Sequence, residues 1–220
     1  MRTLRRVVLL MIGVSIFSCQ PKFDLKSDKH LAEIFTDTEL KEIEKMISYV
    51  DDRVMEETGS KDINEAYHQL LDVINQTMQE NSKFFVPFEE EEKYAFLESL
   101  DSTVFNEFWI MDNHVRMAIY KDSIYEDLDN YKTLDLSRNG KYAGYLKSIG
   151  EGDTYYKSVK DNLDAAGGLT PSIVASFLEN HNMFDFTIPK HRLWGAVFIL
   201  IIEEPHDKKM ERYLNQKASS

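Results

Sequence analysis

The chain has 220 residues, with 26 Lys and Arg against 38 Asp and Glu, a formal charge of −12, six histidines and one cysteine. That acidic balance repels nucleic acid and anionic headgroups, so nucleic acid is excluded as a partner and basic proteins or cations are favoured. A lone cysteine excludes an internal disulfide framework, leaving one apolar core to stabilise a domain of ordinary size.

Arg2, Arg5 and Arg6 open the chain, and Val7 to Phe17 is apolar except for Gly13 and Ser15, ahead of Ser18-Cys19-Gln20. A basic start, a short apolar stretch and a small residue before a cut read as an export signal over residues 1–18, well short of the ~20 apolar residues that span a bilayer. The segment Ile16-Phe17-Ser18-Cys19 resembles the lipobox of bacterial lipoproteins, and its Ser-Cys ending followed by Gln20 is most similar to those of Bacteroidota. Ile16 stands where leucine is usual, and Phe17 where alanine or serine is usual. The resemblance covers the first twenty residues only. It implies a diacylglyceryl thioether on Cys19, palmitate-type acylation, and residence in the cell envelope at the outer membrane, because Gln20 and not aspartate follows the cysteine. Two or three acyl chains, at ~0.8 kcal/mol per buried methylene, anchor a protein stably where one chain holds it marginally.

Cleavage removes three arginines and no carboxylate, so 26 basic side chains fall to 23 against 38 acidic ones, and the formal charge moves from −12 to −15. Gln20 to Lys29, QPKFDLKSDK, is polar around one proline. Residues 19–32 therefore read as a flexible tether, with residues 20–29 alone reaching on the order of 30 Å. A single acidic domain follows over 33–217, and its pattern predicts a mainly all-α fold, an irregular multi-helix bundle, with a small β-hairpin near residues 133–146 as the alternative there.

Thr36-Asp37-Thr38-Glu39 is a capping box, with Phe35 and Leu40 placed as a hydrophobic staple. Leu40, Ile43, Ile47, Val50 and Val54 recur at helical spacing until Gly59. A second helix is predicted from Ile63 to Met78, with Ala66, Tyr67, Leu70, Val73 and Ile74 inward, so that the two form a helical hairpin. Pro87 predicts a further helix start, and the carboxylates Glu89 to Glu92 suit the positive end of its dipole. Val104 to Tyr120 reads as helical, although its aromatic content leaves a strand open at Phe108 to Met111.

Asp135-Leu136-Ser137-Arg138-Asn139-Gly140 resembles the first half of an EF-hand loop. Position twelve is Leu146 instead of the bidentate glutamate and position eight is Tyr142, so no metal is expected. Tyr142, Tyr145, Leu146 and Ile149 share a face and predict a helix over Gly140 to Ile149; a β-hairpin turning at Asn139-Gly140 is the alternative. Gly167-Gly168 ends one helix, and Thr170-Pro171 and Thr187-Ile188-Pro189 open two more. Leu193 to Ile202 is an apolar run that periodicity alone cannot divide between helix and strand; its length and setting predict the central core helix. A polar last helix is predicted over 207–216.

The chain lacks a glycine-rich phosphate loop, a nucleophile elbow and a paired-histidine zinc helix, so no catalytic residue and no cofactor is assigned. Seven of eleven tyrosines lie between Tyr120 and Tyr156. Tyr142, Tyr145, Tyr155 and Tyr156 are candidate partner-binding residues, because tyrosine combines rigid area with a polar tip, while half-buried packing is the competing role. Asp101-Ser102-Thr103 and Asp122-Ser123-Ile124 resemble the O-glycosylation sites of Bacteroidota, which marks Ser102 and Ser123 as candidates. Two function classes follow. The first is a non-catalytic lipoprotein, anchored in the membrane through its lipid, whose acidic helical domain binds a basic protein as scaffold or immunity-type neutraliser. The second is a cell-wall or polysaccharide hydrolase using a carboxylate pair.

Overall fold

The computed structural model describes residues 23–81, 85 and 87–219. Among these the fold is mainly helical with one two-stranded antiparallel sheet. A 3-10 turn, Leu25–Ser27, leads into α1 (Lys29–Ile34), α2 (Asp37–Thr58), α3 (Ile63–Asn81), α4 (Glu90–Glu98) and α5 (Ser102–Phe108). β1 (Trp109–Tyr120) and β2 (Ser123–Leu136) form a hairpin, followed by α6 (Lys141–Gly150), α7 (Thr154–Ala166), α8 (Pro171–Asn180), a 3-10 turn His181–Met183, α9 (Pro189–Ile201) and α10 (His206–Ser219).

The opening of α2 follows its local sequence. Thr36 Oγ1 accepts from the Glu39 amide while the Glu39 carboxylate accepts from the Thr36 amide at 2.7 Å, and Gly59 ends the helix in the left-handed region at φ 69°. Leu40, Ile43, Ile47, Val50 and Val54 are all buried. On α3, Ala66, Tyr67, Leu70 and Ile74 face inward as expected, but Val73 is exposed and Leu71 is buried in its place. The helix axis turns its stripe by one position, because α3 packs against α8 as well as α2.

Leu193 to Leu200 are buried without interruption, so α9 is the helix around which the others pack. It is hydrophobic all round, as a helix covered on every side must be. Gly195 lets it approach α3 closely: a Cβ there would lie 2.9 Å from ring carbons of Phe186 and Tyr67. At its first turn Arg192 meets the buried carboxylate of Asp51, Nε to Oδ1 at 3.0 Å and Nη2 to Oδ2 at 2.5 Å, and Tyr67 donates its hydroxyl to Asp51 at 3.0 Å.

Three expectations are corrected. The tether does not extend to residue 32, because Leu25 and Leu31 are fully buried in the main core and Asp28 caps α1, accepting from the amides of His30 and Leu31. Two leucines spaced six apart, too short a pattern to register as periodicity, supply that burial. The hairpin is the second correction. It lies at 109–136, earlier than 133–146, and turns at Lys121-Asp122, both at positive φ. That backbone is the I′-type turn matching strand twist, made here without the usual Asn-Gly. Asn139-Gly140 instead precedes α6, with Gly140 as its N-cap at φ −74°. The helix expected over Val104 to Tyr120 ends at Phe108, where the β-branched and aromatic residues of Trp109 to Tyr120 pair with β2.

Candidate interaction surface

The hairpin is the part of the fold with most apolar surface left over. Ala118, Tyr120, Leu128 and Tyr131 are buried in a small cluster with Met210 of α10, flanked by Val115, Tyr125, Tyr213 and Leu214. Ile110, Met117, Ile119 and Ile124 are 52–64% exposed. Asp127 and Asn130, both at positive φ, and a register shift between Asp112 and His114 break the simple alternation of faces. Among the described residues, apart from the Trp109 amide, which donates to the Phe105 carbonyl of α5, neither outer edge of the hairpin ladder has a backbone–backbone hydrogen bond to another element.

Side chains hold those edges instead. Glu203, just beyond α9, accepts from the Leu134 amide at 2.8 Å and from the Tyr94 hydroxyl at 2.8 Å, and pairs with Lys209 at 2.9 Å. On the other strand, His206 Nε2 lies 2.9 Å from the Ile119 carbonyl, which can only accept, so His206 donates. Behind this contact is a buried ionic cluster. Glu90 is fully buried and meets Arg212 at 2.5 Å and Lys209 at 3.3 Å; the same Arg212 nitrogen lies 2.5 Å from Glu204. Lys93 donates to the Ile202 carbonyl at 2.8 Å.

The charges in this cluster are set by burial first. Burial pushes the Glu90 carboxyl up, but Lys209, Arg212 and Lys93 outweigh it and hold it below the usual carboxylate range. For Glu204 burial and the neighbouring Glu90 charge prevail over Arg212, and its carboxyl is raised. Lys93, penalised by burial despite Glu90 and Glu203, is lowered to about 8. Neither Glu204 oxygen has an aligned hydrogen-bond donor, although Arg212 and Lys208 are within ion-pair distance. A hydrolytic pair needs both carboxyls to reach substrate. Here the Glu90 and Glu204 side chains are sealed and Glu203 alone reaches the surface, engaged by three donors, so the cluster acts as a clamp joining α4, α10 and β2. A groove of about 270 Å³ beside it is lined by Tyr94, Asn130, Tyr131, Lys132 and Tyr213.

The four tyrosines expected at a partner surface are core residues instead. Tyr142, Tyr145 and Tyr156 are buried, and Tyr155 is half-buried with its hydroxyl accepting from Trp194 Nε1 at 3.1 Å. Tyr145 donates to Asp28 at 2.8 Å and thereby ties α6 to α1. Tyr155 and Tyr156 both turn inward, their rings edge to face at 5.4 Å, because α7 sits in a wedge with α6 on one side and Phe177, Phe184 and Trp194 on the other. Ser102, in the first turn of α5 after the Asp101 cap, and Ser123, next to the hairpin turn, are both exposed. Cys19 and the signal segment lie outside the described residues.

Sequence reading placed Glu90 only within the Glu89 to Glu92 block at a helix start and did not join it to Lys209 or Arg212, since contacts between residues 119 or more apart leave no local pattern. It also did not pair His181 with His68: their Nδ1 atoms are 3.0 Å apart and Asp72 is 3.0 Å from His181 Nε2. Among the described residues no group of three or more His, Cys, Asp or Glu is placed to hold a metal ion, and no helix is long and apolar enough to cross a membrane. No family model, no curated protein and no solved structure matches this chain.

Proposed function

We propose that this protein is a lipid-anchored envelope lipoprotein whose acidic helical domain binds a basic protein partner through the β1–β2 hairpin. The observation that carries the reading is the group of large aliphatic side chains at Met117, Ile119 and Ile124 beside the hairpin turn, each more than half exposed on a two-stranded sheet whose edges, among the described residues, pair with no further strand. Contiguous exposed apolar surface rimmed by charge is typical of protein interaction sites, and the stretches of strand edge that Glu203 and His206 leave uncovered offer main-chain pairing to an extended segment. The rim supports a basic partner, because residues 109–136 hold six acidic and three basic side chains. Lys132, one of the three, is engaged by Glu98. The lipobox-like segment ending at Cys19 supports the anchor, and Gln20 supports outer-membrane sorting.

Photo-crosslinking in intact envelopes tests the reading. A crosslinker placed at Ile124 is expected to capture a discrete partner, and Ile119→Asp to abolish the product, while the same crosslinker at exposed Glu179 on α8 captures none. Equal capture from both positions would dismiss the hairpin as the binding surface. Cys19→Ser is expected to lose labelling by a fatty-acid probe; a labelled serine variant would remove the lipoprotein reading.

A further inference from the structure

The domain begins much nearer to Cys19 than a tether would allow. Phe23 is half-buried with the Arg192 guanidinium 4.4 Å from its ring centroid, and Arg192 is itself locked on Asp51. Leu25 is fully buried, the Asp24 side chain accepts from the Lys26 amide, and Asp28 both caps α1 and accepts from Tyr145. From Phe23 to Asp28 the chain is built into the fold.

Only residues 20–22 separate Cys19 from Phe23. Four virtual bonds of at most ~3.6 Å span about 14 Å fully extended. A domain of this size has a radius of gyration of roughly 16–17 Å, so that its outer radius exceeds the leash. A body held by a leash shorter than its own radius cannot roll to bring its opposite face to the anchoring surface. We propose, on the premise that Cys19 is lipidated, that the surface around Phe23 and the first turn of α9 rests against the lipid headgroups, with the hairpin carried at the other end of α9. The lipid surface is the occupant because covalent length leaves no room for another layer between.

This surface carries a shallow groove of about 550 Å³ lined by Phe23, Asp24, Lys26, Asp37, Lys41 and Glu44. The hairpin clamp lies past the far end of α9. Arg192 stands in the first turn and Glu203 follows the last, a separation of roughly 15 Å along the axis at 1.5 Å per residue. Phe23 and the hairpin turn thus sit at opposite ends of the one helix that the rest of the fold surrounds, while the root of the hairpin follows Phe108, which stacks on Phe35.

The test uses the full-length lipidated protein in vesicles of phosphatidylethanolamine and phosphatidylglycerol doped with a nitroxide-headgroup lipid, which quenches only at short range. Acylation consumes the native thiol, so single introduced cysteines carry the fluorophore: Lys41→Cys beside Phe23, and Asp122→Cys at the hairpin turn. Quenching at position 41 is expected to exceed that at 122 several-fold, and twelve Gly-Ser residues inserted between Gln20 and Pro21 are expected to erase the difference. A second pair, Lys26→Cys and Ser123→Cys, guards against a misfolded variant. Equal quenching at the two ends with the native spacing overturns the orientation while leaving the anchor standing. Mass spectrometry showing no acyl chain on Cys19 removes the anchor itself, and the orientation with it.

Discussion

The Glu203 carboxylate receives the backbone amide of Leu134 at 2.8 Å, so a side chain from the α9–α10 connection takes the position that a neighbouring strand's carbonyl would hold against β2. The same carboxylate accepts from Tyr94 and pairs with Lys209. Edge strands left open invite uncontrolled pairing, and covering part of an edge with a side chain is one way a protein manages it. Glu203 covers the root of the hairpin, near the core, and His206 covers the Ile119 carbonyl beside the turn, where the side chains of Met117, Ile119 and Ile124 are exposed.

Glu203→Ala is therefore expected to loosen the hairpin locally. Hydrogen exchange of the Leu134 amide should accelerate at least about tenfold, the equivalent of ~1.4 kcal/mol, while amides in α2 keep their protection. Unchanged exchange at Leu134 would show that the ladder alone holds β2.

Lys93 gives a stability slope of defined sign. Its folded value of about 8 lies below the ordinary lysine value, so between pH 8 and 10 the unfolded chain binds more protons than the native one. Stability contributed by this group must then rise with pH across that window, by up to ~1.4 kcal/mol per unit. Urea melts at pH 8 and 9.5 should show the rise in the parent, and a smaller rise in Lys93→Met. A parallel pH dependence in both proteins would remove Lys93 as its source.

Glu39 gives a slope of the same sign in the acid range. Burial pushes its carboxyl up, but Lys141 and the Thr36 hydrogen bonds outweigh burial and hold it below the usual range. A lowered carboxyl contributes stability that is present above the unfolded value and lost as pH falls through the folded one. Thr36→Ala removes one side of the capping box and should cost about 1 kcal/mol at neutral pH, whereas Val50→Ala, fully buried, should cost about 2 kcal/mol through lost burial and a cavity. Denaturant melts that reverse this order would place Val50 outside the core.

A chain beginning at Glu33 loses Leu25, Leu31 and the Tyr145–Asp28 bond. Each buried leucine contributes about 1.5–3 kcal/mol, so this chain should melt well below one beginning at Gln20. Equal melting temperatures would mean that residues 23–32 do not stabilise the domain.

The sequence by itself determined α2, α3, α8 and α9, because their signals are local, but not α1, whose first residues read as tether, nor the end of α5 at Phe108. The capping box at Thr36, the stop at Gly59, Pro171 and Pro189 at helix starts and the apolar run of α9 each act within a turn or two of chain. The tyrosines of α6 and α7 were legible as an apolar-faced pattern, yet whether that face met solvent or core depended on α8 and α9 arriving opposite it. Only the tertiary structure decided the hairpin, whose strands pair through a Lys121-Asp122 turn that carries no turn signature. It alone decided the ion clamp too, since Glu90 meets Lys209 and Arg212 across more than a hundred residues. Backbone capping and helical periodicity are short-range energies written in neighbouring residues, whereas burial of a charge or completion of a strand edge is stabilised by whatever the fold places opposite. Leu25 and Leu31 show the boundary between the two, polar-flanked and unremarked as a segment, and fully buried once the core closes over them.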